Sequence, residues 1–351
     1  MRIAGFSRSK LIARRRRKAK TVSLLLAFHL SSIAVVSSLI SNVESIEKRI
    51  SASLRRSIRI NLASFNLNAW SDDASLIDFR FLPQHVALIA RILDFPGDRM
   101  ITGRSRYNAS SIEATAILLR RLASPVRWSD LEELFGRRRS ALFEIYLETL
   151  RLAHRRLRKH LDGFRSELVE SRAARYAAKI REKGSPLDRC VGFIDGTAIR
   201  ISRPTRGQQS CYSGHKRCHA LKYQSIVGPD GLFLHFWGPL EGRRHDMTLY
   251  RRSGMDQLLE QFLLIHGQQH YLYGDPAHVL RPWLQKGFAG AALDAGEASF
   301  NREMNRARES VEWGFKDIKQ LFSSNDHSRQ MRALKSPIGL MMVVSSALTN
   351  I

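Results

Sequence analysis

The alternation of short apolar runs and helical stretches after residue 185 constrains the fold of this chain more than any other feature. The runs are rich in β-forming residues, and the helical stretches carry apolar residues three or four positions apart. In chain order, they are three runs, a helical stretch, a fourth run and a long helical stretch: 191–194, 221–227, 232–237, 247–264, 271–274 and 301–321. The tight turn Pro229-Asp230-Gly231 separates the second and third runs, which predicts a hairpin. The sequence therefore predicts an α/β domain over residues 186–351, with a mixed sheet and flanking helices.

Acidic residues stand at the ends of two of these runs and within the last helical stretch. Asp195 follows the first run, Asp275 follows the fourth, and Glu312 lies in the middle of the long helix. Three antiparallel strands, a helix, a strand and a helix form the ribonuclease-H-like pattern, which places the two strand ends side by side. Three carboxylates converging there would repel each other unless divalent cations neutralised them. Oxygen ligands suit Mg²⁺ or Mn²⁺, and two such ions support in-line displacement at a phosphodiester.

Each acid also has an ordinary structural interpretation. Asp195 before Gly-Thr is compatible with a turn, and Asp275 before Pro276 with the start of a loop. Glu312 could belong to a solvated helix face. Their placement on three specific elements favours the interpretation as catalytic, metal-binding acids.

The region before this domain, residues 76–183, is predicted to be all-helical because its apolar residues recur at helical spacing. Ser129–Phe135 predicts a short helix with Ser129 and Glu132 forming a capping box. Gly136 ends that helix and a second one follows, so the pair predicts a helix-turn-helix-like segment. The residues expected to contact DNA stand at the start of the second helix: Arg137, Arg138 and Arg139. The alternative is an ordinary helical hairpin with a basic, solvated end.

The charge balance predicts a polyanionic partner. The chain has 57 Lys and Arg residues against 32 Asp and Glu residues, a formal net charge of +25, and nucleic acid is the usual partner of such a protein. A second cluster of predicted DNA contacts lies beside the acids: Arg203, Arg206, His215, Lys216, Arg217 and Lys222. Tyr212 and Tyr223 are interleaved with it and predict stacking on bases. A solvated basic hairpin is the alternative.

The first part of the chain, residues 1–75, is basic, Ser-rich and poorly patterned. A cationic run from Arg14 to Lys20 is typical of a nuclear-localisation signal or a phosphate-binding patch. The apolar stretch 22–40 that follows it resembles a signal anchor. The sequence therefore predicts a nuclear protein, with membrane anchoring through residues 22–40 as the alternative.

Several linked motifs resemble the catalytic domain of the Harbinger/PIF transposase superfamily, over residues 80–351. They are Ile194-Asp195-Gly196-Thr197, Tyr212-Ser213-Gly214-His215-Lys216-Arg217, Gly242-Arg243-Arg244-His245-Asp246, Tyr273-Gly274-Asp275-Pro276-Ala277 and Val311-Glu312-Trp313. The resemblance implies a DDE-type endonuclease or transposase with Asp195, Asp275 and Glu312 as catalytic acids. Its substrate would be double-stranded DNA at transposon ends and at a target site. A Myb-like accessory protein is also implied, and a homo-oligomer is left open.

Two further residues enter through this resemblance. Asp246 matches a recurrent acidic position of the family and is either a fourth metal-binding carboxylate or the N-cap of the next helix. His278 stands where the family usually has Tyr. Intact acids favour an active nuclease, whereas the alternative is a domesticated DNA-binding protein that keeps the fold and has lost catalysis.

Overall fold

A computed structural model of the chain describes residues 65–290, 292–333 and 335–351, and of residues 309–313 only the backbone. Every described residue belongs to one compact unit, Ser64–Ile351. The cationic run from Arg14 to Lys20 and the apolar stretch 22–40 therefore lie outside the described residues. None of the described helices combines the length and apolarity that a membrane crossing requires.

The described part of the chain contains eleven α-helices. They are α1 (Asp72–Phe79), α2 (Pro83–Leu93), α3 (Ser111–Ala123), α4 (Asp130–Phe135), α5 (Arg139–Leu157), α6 (Ser166–Glu182), α7 (Gln208–Cys211), α8 (Asp246–Arg252), α9 (Met255–Phe262), α10 (Ala295–Leu321) and α11 (Ile338–Thr349). The helix predicted over 247–264 is instead two helices, α8 and α9. Gly254 separates them with a φ of +69°, a left-handed conformation that glycine adopts at little cost.

The strands form one mixed sheet and two short hairpins. They are β1 (Arg99–Ile101), β2 (Asn108–Ser110), β3 (Cys190–Arg200), β4 (Tyr212–Ser213), β5 (Cys218–Val227), β6 (Phe233–Glu241), β7 (Leu264–Ile265), β8 (Gln268–Gln269), β9 (Tyr271–Gly274) and β10 (Leu284–Lys286). In the sheet, β10 pairs with β9, β9 with β3, and β3 with β5, while β4 and β6 both pair with β5. The hairpin of β1 and β2 corrects the expectation that residues 76–183 are helical throughout.

The pairing confirms the predicted antiparallel run of three strands. β3 is antiparallel to β5, and β5 is antiparallel to β6. On its other edge β3 is parallel to β9, which is parallel to β10. The coarse prediction of a mixed α/β fold is therefore confirmed.

Two apolar cores cover the two faces of the sheet. The first joins helices α1–α5, α10 and α11 to the sheet, and in it Phe315 of α10 packs against Phe233 and Phe236, with ring centroids 6.2 and 6.4 Å away. The second joins α6, α8 and α9 to the opposite face through residues such as Tyr176 and Val191. Full burial of such a side chain stabilises the fold by about 1.5–3 kcal/mol. Because helices α1–α5 share the first core with the sheet, residues 64–351 form one unit, and a domain boundary near residue 185 stays a prediction.

Candidate active site

The central strands bring Asp195 and Asp275 together. β3 and β9 run parallel, with Phe193 opposite Tyr273, and each aspartate stands two residues further along its strand direction. β3 does not end at Asp195 as predicted, because the chain continues to pair with β5, where Ser225 lies opposite Asp195. The first acid is therefore held by regular pairing in the middle of a strand, and the second follows the end of β9.

The environment shifts the pKa values of the two carboxyls in opposite directions. Burial raises the pKa of Asp195, the nearby Asp275 carboxylate raises it further, and the guanidinium of Arg308 counteracts both. The hydrogen bond from His278 lowers the pKa of Asp275, against the effect of its partial burial. Asp195 is thus the carboxyl that gains most from a nearby cation, because its ionised form is poorly solvated.

His278 orients the second acid. Its Nδ1 donates a hydrogen bond of 2.6 Å to Oδ1 of Asp275, and its side chain is only 2% exposed. The ring lies close to the backbone of Gly274, where a Cβ would stand 2.9 Å from Nδ1. In the sequence, His278 is only a departure from the family pattern. The three-residue spacing from Asp275 is the sole signal there, and such a spacing alone does not distinguish a catalytic partner from a structural histidine.

Asp246 lies against the strand that carries Asp195. A Cβ on Gly196 would stand 3.0 Å from the Asp246 carboxyl carbon, so the absence of a side chain there makes room for this acid. Asp246 is the first residue of α8, and its carboxylate accepts a 2.9 Å hydrogen bond from Lys222. The N-cap interpretation of Asp246 is therefore wrong, because His245 precedes the helix and the carboxylate bonds Lys222 instead of a backbone N–H. Its role as a fourth metal-binding carboxylate stays a prediction.

Helix α10 carries the third predicted acid past the same edge. Arg308, one turn before Glu312 on this helix, influences the pKa of both Asp195 and Asp275. Residues four apart share a helix face, so the backbone places Glu312 on the side that carries Arg308. The side chain of Glu312 is among those not described. The remaining side chains include no group of three or more His, Cys, Asp or Glu residues suited to a metal ion.

One of the three DNA contacts predicted for the helix pair α4–α5 is instead bonded to another side chain of the protein. Arg137 forms a two-pronged ion pair with the buried carboxylate of Glu113, through Nε to Oε1 and through Nη2 to Oε2 at 2.7 Å. Arg138 and Arg139 are exposed. The predicted capping box is wrong: Ser129 makes no capping hydrogen bond, and Glu132 accepts the backbone N–H of Arg139 at 2.7 Å. This contact instead fixes the turn between the two helices.

The predicted basic cluster after Asp195 is largely exposed. Its exposed members are Arg203, Arg206, His215, Lys216 and Arg217. Lys222 is half-buried in its pair with Asp246. The expectation that Tyr223 stacks on bases is wrong, because its ring is fully buried and stacks on Phe236, with centroids 5.4 Å apart. Tyr212 remains exposed at 43%.

The mixed α/β fold, with its two aspartates on adjacent parallel strands, is consistent with the result of the family comparison. Residues 194–350 match the DDE superfamily endonuclease family. This match begins one residue before Asp195 and includes Asp275 and Glu312. Residues 194–350, a little under half of the chain, are therefore similar to the DDE superfamily endonucleases.

Two known proteins are similar to this chain at low sequence identity. "Protein ALP1-like" of Arabidopsis thaliana is 25% identical over 218 residues, which cover 59% of this chain and 52% of the relative. "Probable transposase for insertion sequence element IS702" of Microchaete diplosiphon is 28% identical over 145 residues, covering 41% and 52%. The chain thus spans about half the length of each relative. No solved structure matches it significantly.

Proposed function

We propose that this protein is a metal-dependent DNA endonuclease of the DDE transposase type. The observation that carries the proposal is the pair of carboxylates, Asp195 and Asp275, on adjacent parallel strands within the matched region. The third catalytic acid is Glu312, on the helix that passes the same edge. The relative named as a probable transposase supports the same class of reaction, cleavage and transfer of DNA strands.

The fold that fits this function is ribonuclease-H-like. Three antiparallel strands, then helices, then a fourth strand parallel to the first and a long closing helix follow the order expected for it. Helix α10 packs on β3 and β5, so the closing helix lies over the strands that carry the first acid. This arrangement supports the assignment of Glu312 as well.

The residues at this edge suit a hard divalent cation. Asp195 and Asp275 offer oxygen ligands. Burial makes the ionised form of Asp195 unfavourable, and a bound cation would offset that cost. Asp195, Asp275 and Glu312 would hold Mg²⁺ or Mn²⁺, with Asp246 as a fourth ligand. Two such ions supply activation of a water or 3′-hydroxyl and stabilisation of the leaving oxygen. The protein's own contribution is orientation: His278 restricts the rotation of Asp275, and strand pairing holds Asp195.

A second candidate function is that of a domesticated DNA-binding protein without catalysis. Lys222 favours it, because its ammonium already neutralises Asp246 at the edge of the site. The aspartates Asp195 and Asp275 on adjacent strands favour the nuclease, since a binding protein has no need of them.

Metal removal separates the two functions. We expect the full-length protein to nick supercoiled plasmid in Mg²⁺ or Mn²⁺ and to lose this activity in EDTA, because the carboxylates alone supply neither a nucleophile nor charge neutralisation. Gel mobility of the plasmid measures nicking, and retention of a labelled duplex in EDTA measures binding. Undiminished binding with no nicking in either metal would favour the domesticated protein instead.

The remaining parts of the proposal concern the cell. Double-stranded DNA at transposon ends and at a target site is the proposed substrate, and a Myb-like protein and a second copy of the chain are proposed partners. We also propose a nuclear location, directed by the run from Arg14 to Lys20. A full-length fluorescent fusion should enter the nucleus and lose this location when the four arginines Arg14–Arg17 become Ala. Unchanged import would contradict this signal, and a carbonate-resistant membrane fraction would support the anchor through 22–40.

A further inference from the structure

Two acid-free segments of the chain meet on one side of the molecule. No Asp or Glu occurs between Asp195 and Asp230, and none follows Asp326. The first segment includes the end of β3 and the loop before α7, and the second includes the chain between α10 and α11. The backbone N–H of Ser202 donates to the carbonyl of Met331 at 2.9 Å, and the Ser202 hydroxyl donates to the carbonyl of Ser328 at 2.6 Å. These bonds hold the two segments side by side.

Six exposed cations lie on these segments, and we call them the paired basic surface. They are Arg200, Arg203, Arg206, Arg329, Arg332 and Lys335. Arg203 bonds the side-chain oxygen of Gln208, and Arg332 bonds a backbone carbonyl. None of the six forms an ion pair with a carboxylate whose side chain is described. The surface therefore keeps its positive charge for an external anion.

The surface begins at a definite distance from the candidate active site. Arg200 lies five residues beyond Asp195 on β3, which at about 3.3 Å per residue is about 17 Å. Duplex DNA rises about 3.4 Å per base pair, so this spacing corresponds to roughly five base pairs. Because side chains alternate along a strand and the separation is odd, Arg200 lies on the other face of the sheet from Asp195, so the cations beyond the end of β3, from Arg203 onward, are those that a duplex at Asp195 can reach.

Two hydrogen bonds of Gln330 connect the second segment to α3 and to the loop before α4. The Gln330 side chain accepts a hydrogen bond from Arg121, and its amide donates to the carbonyl of Pro125 at 2.7 Å. Pro125 belongs to the loop that leads into α4. The second segment thus lies between the first segment and the loop before the helices that expose Arg138 and Arg139.

We propose that the paired basic surface binds the sugar–phosphate backbone of duplex DNA flanking the cleaved phosphodiester, which rests on the proposed nuclease function. An acidic protein is the less suitable partner. Protein interfaces centre on buried aromatic or aliphatic anchors, and Tyr212 is the one large apolar side chain that is strongly exposed in residues 196–229 and the described part of 327–340. DNA interfaces, in contrast, are polar and positively charged. None of Arg329, Arg332 and Lys335 belongs to the predicted helix-turn-helix-like contacts.

A charge-matched pair of triple variants tests this surface. The test variant replaces Arg329, Arg332 and Lys335 with Ala, and the control replaces Arg175, Arg181 and Lys183, which are exposed on or beside α6 at the opposite face of the sheet. Fluorescence anisotropy follows a labelled duplex of mixed sequence, about three helical turns long, in EDTA across a series of salt concentrations. We expect the test variant to bind at least about tenfold more weakly at about 0.15 M salt and its log–log salt slope to flatten by between about two and three, whereas the control keeps most of both.

The outcomes distinguish this surface from the proposed function. Equal losses in the two variants, or an unchanged salt slope in the test variant, would overturn the proposal and leave an acidic protein as the partner to seek. Replacing Arg329 and Arg332 with Lys should preserve the slope, because the charge is retained, and a loss there would also overturn it. The assay needs no metal, so failure of wild-type plasmid nicking would remove the nuclease and leave the binding result intact.

Discussion

Replacing Asp195 with Asn should abolish metal-dependent DNA cleavage while leaving DNA binding intact or stronger. The substitution removes one oxygen ligand and its charge from the edge shared with Asp275. Loss of about 4 kcal/mol of transition-state stabilisation lowers the rate by a factor of about a thousand. Binding is retained because less negative charge faces the phosphates. Plasmid nicking and duplex anisotropy measure the two effects separately.

The same substitution should raise the melting temperature in EDTA. The pKa of Asp195 is raised in the folded protein, so the folded state binds the proton more tightly than the unfolded chain. This carboxyl therefore contributes stability at low pH that is lost as the pH rises from the ordinary carboxyl range through the raised value. At neutral pH the ionised carboxylate opposes folding, and Asn removes that cost. The difference between wild-type and variant melting curves across pH isolates this contribution.

The control for Asp195 is an exposed carboxylate of equal charge on another element of the fold. Glu260 is exposed on α9, so Glu260→Gln should leave cleavage unchanged. Full nicking activity in Asp195→Asn would exclude this residue from the mechanism. A lower melting temperature in EDTA would contradict the inferred cost of its buried charge.

Replacing Arg137 with Ala should destabilise the fold by about 3 kcal/mol, because it leaves the Glu113 carboxylate buried without its partner. The double variant Arg138→Ala, Arg139→Ala should keep its melting temperature, since both side chains are exposed. It should instead weaken DNA binding, by about 1–3 kcal/mol for each base-reading side chain removed, and flatten the salt slope. Urea unfolding and duplex anisotropy on the same samples separate folding from binding.

A paired replacement makes the Arg137 prediction sharper. Converting both Glu113 and Arg137 to Met removes the buried charge together with its partner, so it should recover most of the stability that Arg137→Ala removes. A double variant as unstable as Arg137→Ala would show that the ion pair is not the cause. If Arg138→Ala, Arg139→Ala leaves affinity and salt slope unchanged, the α4–α5 pair is a structural hairpin, and DNA recognition must come from elsewhere.

The local sequence pattern was sufficient to predict the strands and the helix that carry the acids. The strand Tyr271–Gly274 begins and ends where its apolar run does, and the starts of the three antiparallel strands lie within three residues of the predicted ones. Side-chain periodicity reports which residues face a core, and that information lies within each segment. The end of β3 could not be predicted in this way. Its extension past Asp195 depends on pairing with β5, about thirty residues away in the chain.

The sequence by itself determined that Asp195 and Asp275 leave or lie on strands and that Glu312 lies on a helix. Only the tertiary structure decided what surrounds them. Arg137 meets Glu113 across 24 positions and Lys222 meets Asp246 across 24, and both pairs look like free surface charges in the sequence. The physical reason is that an ionisable side chain carries no local mark of its partner. Its environment, and hence its pKa and its availability to DNA, arises only when distant elements pack against it.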